Sequence, residues 1–228
     1  MMEKQHDAAM IFDLDGTLAD NVYQHVLAWD TALRANGVEL SLWRIHRRIG
    51  MSGGLFVKAL GRELGRDLTP EIVANLRKGH TDAYAELAGD IRPLPGAREL
   101  LATLTAEGIK WAIATSSSRN VAARTLRVLE VPDAVPIVTR TDVMYAKPNP
   151  DLFLEAARRL NVEPCDAFVV GDSIWDLLAA QRAGSLGIGV LSGGYGSEEL
   201  VCAGAYRVYN DPADLLSHLD ELGLRIGN

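Results

Sequence analysis

IFDLDGTLAD, residues 11–20, is an apolar run that delivers two carboxylates, Asp13 and Asp15, and then breaks at Gly16. An uninterrupted apolar stretch closed by a turn residue reads as a buried strand. Successive side chains of a strand point to opposite faces, so Leu14 falls on one face and both aspartates on the other. Two like charges crowded into a partly buried place are costly. The pair therefore implies something that uses it.

Downstream, DNVYQHVLAWDTALRANG (20–37) sets Val22, Val26, Trp29 and Leu33 on one helical face and stops at Asn36-Gly37. Asp20 or Asn21 is placed to cap this helix, with Gln24 as capping-box partner. The pattern stays helical, without a strand, to about Gly89. From IRPLPG (91–96) onward the rhythm changes: WAIATS (111–116), PIVTR (136–140), AFVVGDS (167–173), LGIGVL (186–191) and YRVYN (206–210) alternate with amphipathic segments. That alternation predicts a parallel sheet with crossover helices, to which the first strand also belongs. Ligands then gather at the carboxyl ends of its strands.

Composition bounds the rest. At 228 residues the chain suits one large domain carrying an insertion, and 48% apolar residues are enough for a sizeable core. A formal charge of −7 argues against nucleic acid or an anionic membrane as partner, since those need a dense basic patch. The two cysteines, Cys165 and Cys202, are far apart and lack metal-ligand spacing, so they read as reduced thiols. MMEKQHDAAM (1–10) has no apolar signal core, and no stretch reaches the roughly 20 apolar residues of a membrane span. These features predict a soluble, cytoplasmic protein; they set no oligomeric state.

Polar groups follow the predicted strands: Asp13 and Asp15 after the first, Thr115 with Ser116 to Ser118 after WAIA, and Asp172-Ser173 after AFVV. Lys147 precedes a proline-rich turn that starts a helix near Pro150. Each has an ordinary reading by itself: Asp15-Gly16 as a turn, Thr115 as a strand-end hydroxyl, and Ser173 with Asp176 as a capping box. In this order, after successive strands, three acids, a hydroxyl and a lysine suit a divalent cation and a phosphate.

DLDGT (13–17), the Thr115 that ends WAIAT, KPNPD (147–151) and GDSIWD (171–176) resemble the four motifs of the haloacid dehalogenase superfamily. The resemblance spans Ala8 to about Asn210. It implies a Rossmann-like α/β core of residues 1–20 and 92–228, with an all-helical cap domain of residues 21–91 inserted at the family's usual site. RRIGMSGG (47–54) and VLSGGYGSEEL (190–200) further resemble segments of the branch that holds phosphoglycolate phosphatase, sugar phosphatases and β-phosphoglucomutase.

The resemblance implies a role for each residue. Asp13 is expected to be the nucleophile that forms an aspartyl phosphate, kept ionised by magnesium and Lys147. Asp15 is expected to be the acid that protonates the departing alcohol and then the base that activates water, helped by a raised pKa. Magnesium is expected on Asp13, on Asp172 and on the backbone carbonyl of Asp15, supported by Asp176. Thr115, Ser116 and Lys147 are expected to hold the phosphate. For the substrate, a small phosphorylated metabolite, the cap candidates are His25, Arg48, Gly50, Met51 and Ser52.

Competing activities are separable in part. Dehalogenases of this superfamily lack the second aspartate of the first motif, which is present here as Asp15. A phosphonatase is expected to bring an imine-forming lysine from its cap, and Lys58 and Lys78 fit no such pattern. A phosphomutase must grip a second phosphate. GMSGG (50–54) has no arginine, and His80 stands where the mutase lysine is expected, although Arg48, Arg77 or Lys78 would compensate. A receiver-type phosphoacceptor module is about half this length, and an inactive scaffold fits poorly with four intact motifs. The predicted activity is a magnesium-dependent phosphatase of small phosphorylated metabolites, with the mutase as alternative.

Overall fold

A computed structural model of the chain describes residues 8–63, 65 and 68–224. The outer ends of the expected core, 1–7 and 225–228, lie outside the described residues. The first strand, β1 (Ala9–Phe12), has every residue buried, as an apolar run without alternation requires when both sheet faces are covered. With β4 (Trp111–Ala114), β5 (Ile137–Val138), β6 (Ala167–Gly171), β7 (Leu186–Val190) and β8 (Ala205–Tyr209) it forms a six-stranded parallel sheet in the order β5-β4-β1-β6-β7-β8. The chain builds one wing, β4 and β5, and then crosses β1 to build the other. The carboxyl end of β1 therefore sits at the switch point, where the flanking crossovers diverge and leave a crevice.

Helices cover both faces. Met10, Phe12 and Leu14 pack with Leu100 and Leu104 of α5 (Ala97–Ala106) and Leu215 of α10 (Pro212–Ser217). Ala9 and Ile11 face Phe153 and Ala156 of α7 (Asp151–Leu160) and Ala179 of α8 (Ile174–Ala183). Two further helices, α6 (Arg119–Val128) and α9 (Ser197–Cys202), follow β4 and β7. Leu14 shares the face of Phe12, which leaves Asp13 on the other, as the alternation predicts.

The insertion leaves and re-enters the core through a short antiparallel pair, β2 (Ala19–Asp20) with β3 (Arg92–Pro93). Between them run α1 (Val22–Ala35), α2 (Leu42–His46), α3 (Gly53–Glu63) and α4 (Pro70–Leu87). The predicted face Val22, Val26, Trp29 and Leu33 is the one α1 buries, against Phe56 and Leu60 of α3 and Leu76 of α4. Each such side chain contributes roughly 1.5–3 kcal/mol when buried, so the helices have a core of their own. No described helix is long and apolar enough to cross a membrane.

Candidate active site

The ends of β1, β4 and β6 carry the predicted groups, and the loop before α7 brings Lys147 among them. Asp13 extends the ladder, its N–H donating to Val170 O at 2.8 Å. Its carboxylate accepts from Lys147 Nζ, which also lies 2.7 Å from Asp176 Oδ1. Lys147 is wholly buried, with the ring of Phe153 beneath its ammonium at 5.2 Å. Asp172 accepts from Thr17 Oγ1 at 2.9 Å. Asp176, in the first turn of α8, takes Ser173 N–H at 3.1 Å and Ser173 Oγ at 2.5 Å on its other oxygen. The helix cap and the carboxylate cluster thus share one residue. Oxygens of Asp13, Asp172 and Asp176 all lie within 4.8 Å of one another. Backbone approaches closely here: a Cβ on Gly16 or Gly193 would overlap the Asp172 carboxylate, and Gly16 adopts φ +86°.

Asp15 meets a different set of partners. Asn21 Nδ2 donates to its Oδ1 at 2.5 Å, and Ser117 Oγ and Thr115 Oγ1 donate to its Oδ2 at 2.8 and 3.3 Å. His25 Nε2 lies 3.4 Å from Oδ1. Asn21 also donates to Tyr84 Oη at 2.9 Å, so the side chain expected to cap α1 links the acid to α4 instead. The His25 ring stacks on Tyr84, with centroids 4.1 Å apart, and its Nδ1 is 3.1 Å from His80 Nε2.

Through their protein partners alone, the two aspartates differ in acidity. Burial raises Asp13, the charges of Asp176 and Asp15 add to that, and Lys147 offsets only part of it, leaving Asp13 at about 7. Burial, Asp176 and Asp13 likewise push Asp172 well above the ordinary carboxylate range. Burial also opposes ionisation of Asp15, but the attraction of the nearby His25 and hydrogen bonds from Ser117 and Asn21 outweigh it and hold this carboxyl far below that range. Lys147 is raised above its ordinary value, because Asp13 and Asp176 overcome its desolvation. Burial, then the charge of His25, lower His80 to about 3, so its imidazole is neutral at physiological pH. One ammonium faces three buried acids. That deficit of positive charge, lined by hard oxygen donors, suits a small divalent cation.

Between this edge and the insertion lies a cavity. Asp13, Asp15, Thr115 and Ser116 line it from the core, and His25, Arg48, Gly50 and Met51 from the insertion. Ser116 Oγ is buried without a hydrogen-bond partner among the described residues. Ser52, predicted with the substrate group, is not in the lining: its Oγ accepts Leu55 N–H at 3.4 Å at the start of α3, and its own N–H donates to Lys147 O at 3.3 Å. The guanidinium of Arg48 is already engaged by Glu63 and by Arg44 O. Trp29, Arg77, His80 and Arg140 are among the other residues of the walls. The sequence reading assigns no site role to Thr17, Tyr84 or Arg140; Thr17 and Tyr84 reach the site through partners distant in the chain, Asp172 and Asn21.

A family model described as haloacid dehalogenase-like hydrolase matches residues 8–184. A phosphoglycolate phosphatase from Nitrosospira multiformis is 35% identical over 184 residues, 78% of this chain and 80% of that protein. The β-phosphoglucomutase of Bacillus subtilis is 31% identical over 191 residues, 81% of this chain and 84% of its own length. Among solved structures, a hydrolase from Pseudomonas syringae superposes with a TM-score of 0.93 at 52% identity, covering 94% of this chain and 99% of that one.

Proposed function

We infer, since this chain belongs to the haloacid dehalogenase-like hydrolases, that it is a magnesium-dependent phosphatase of small phosphorylated metabolites, of the sugar phosphate or phosphoglycolate type, working in the cytoplasm. The observation that carries this reading is the division of labour at the end of β1. Asp13 sits with Lys147 in the carboxylate cluster, and Asp15 sits apart on its own set of donors across the same cavity. Residues 1–20 and 92–228 form the core in this reading and 21–91 the cap, entered and left through the β2–β3 pair.

Asp13 attacks phosphorus in line, and the bond to the departing oxygen breaks as Asp15 gives that oxygen its proton. The charge of the incoming phosphate opposes the hold of His25 on the Asp15 carboxylate and so favours the protonated acid. Asp15 then removes a proton from water, which attacks the aspartyl phosphate and frees Asp13. Thr115, Ser116 and Lys147 hold the phosphoryl oxygens. Asp13, Asp172 and the backbone carbonyl of Asp15 would hold the magnesium ion, with Asp176 in support; the ion would neutralise charge on the phosphoryl group. His25, Arg48, Gly50 and Met51 face the leaving group, which the closed cap shields from water.

A panel of phosphorylated metabolites, assayed with magnesium for both phosphate release and isomer formation, tests this. Release of phosphate that stops on chelation is the expected result, whereas isomer formation without net release replaces the hydrolase with the mutase. Asp15→Ala is expected to slow alkyl phosphate hydrolysis by about 10²–10⁴-fold. A good aryl leaving group needs no proton, so p-nitrophenyl phosphate should give a burst of p-nitrophenol and then stall. Alkyl phosphate turnover at the wild-type rate would remove Asp15 from the acid/base role.

The cluster also predicts a pH dependence of stability. The folded state keeps a proton on Asp13 up to about 7, against 3.8 ordinarily, so the stability this group contributes is present at low pH and lost as pH rises through that window. In chelator the thermal midpoint is therefore expected to fall from pH 5 to pH 7.5. Magnesium should raise it more at pH 7.5, since ligand oxygens bind metal deprotonated. A midpoint that ignores both magnesium and pH would count against the cation site.

A further inference from the structure

RRIGMSGG and VLSGGYGSEEL, set apart in the sequence by resemblance alone, meet in space. Arg47 is gripped there at both ends. Its carbonyl accepts from Trp175 Nε1 at 3.2 Å and from Tyr195 Oη at 2.9 Å. Its guanidinium lies 4.0 Å from the centroid of the Tyr195 ring and makes a two-point ion pair with Glu199. Next to it in the chain, residues 48–51 form part of the wall of the cavity that Asp13 and Asp15 also line.

The core side of this contact reaches the carboxylate cluster. Gly193 leaves no room for a Cβ beside Asp172, and Ser192 Oγ donates to Gly16 O at 2.6 Å. The turn that grips Arg47 is thus the turn that walls the cluster. Arg47 takes no part in the apolar core of the insertion. A half-exposed ion pair adds little to folding, so its effect falls on how the wall sits on the core.

We propose that Arg47 is a positioning residue: through Glu199 and Tyr195 it latches the 48–51 wall onto the core and sets the population of the closed, substrate-binding arrangement. The proposal rests on the phosphatase reading of the cavity. Apparent affinity falls in proportion to the closed fraction, so weakening the latch acts on KM.

The test uses the full chain as wild type, Arg47→Ala, Glu199→Ala, the double variant and the charge swap Arg47→Glu with Glu199→Arg. p-Nitrophenyl phosphate with magnesium is the probe, and amide hydrogen exchange is followed alongside. Each single variant is expected to raise KM about fivefold with a smaller change in kcat. Glu199 also accepts from Gly196 N–H at 2.9 Å, and Arg47 also meets Tyr195, so the double should exceed each single yet fall short of their product, and the swap should recover part of the loss, a pattern that loss of packing alone does not give. Exchange at 48–52 and 192–196 should quicken about tenfold in Arg47→Ala while the β1 and β6 amides keep their protection. Unmoved KM values, additive singles or unchanged exchange overturn the latch. Exchange needs no turnover, so an inactive wild type would overturn the phosphatase reading while the latch is still decided on its own.

Discussion

Asp13→Asn is expected to lower phosphate release by about 10⁴-fold or more, the scale on which enzymes lose rate when a nucleophile is removed, while leaving the fold as stable as wild type or more so. The side chain keeps its size, and its carbonyl oxygen still accepts from Lys147, the partner of Asp13 in the native site. What disappears is a charge that Asp176 and Asp15 both repel and that burial already penalises. A structural aspartate would behave the other way, costing stability and sparing rate. Steady-state phosphate release with magnesium, beside a thermal melt in chelator, separates the two. The fall in stability between pH 5 and pH 7.5 should also flatten in the variant, because its titrating group is gone. Turnover within tenfold of wild type would end the assignment of Asp13 as nucleophile.

What was legible in the sequence follows the range of the forces involved. β1 was readable because both its faces are buried, which demands an unbroken apolar run, and the buried face of α1 because 3.6-residue spacing survives any neighbour. The convergence of Asp13, Thr115 and Asp172 is readable too, since strand ends in a parallel sheet share one edge, whereas Lys147, on the loop before α7, joins them only through the motif resemblance. Partners across the fold were not. Thr17 meets Asp172, 155 positions on, and Asn21 meets Tyr84, 63 positions on. Locally, Asn21 carried every mark of a helix cap. Ser52 is the local case: its hydroxyl serves the start of α3, three residues on, rather than the cavity. The acidity of the two aspartates is not readable from the sequence, because it depends on the partners each carboxylate finds: Asn21, Ser117 and the nearby His25 for Asp15, and one lysine shared with other acids for Asp13.

That sharing makes Lys147 the residue whose loss should damage both fold and chemistry. Its ammonium is fully buried between Asp13 and Asp176, and burial, which opposes its charged form, is outweighed by the two carboxylates. Lys147→Met keeps most of the volume and the apolar stem but leaves the acids without their cation. Breaking a buried pair from one side costs about 3–5 kcal/mol, and chemical denaturation in chelator at pH 8 should show a loss of that order. At pH 5 the loss should be smaller, because the orphaned carboxylates, already raised by burial and mutual repulsion, escape by taking up protons. Magnesium should narrow the gap at pH 8 by restoring positive charge to the cluster. Turnover should stay low, since the bond from Nζ to the Asp13 carboxylate is still missing. A lysine that served only as a phosphate contact would raise KM and leave stability alone. Destabilisation below about 1 kcal/mol at pH 8, together with a KM effect, would assign Lys147 that lesser part.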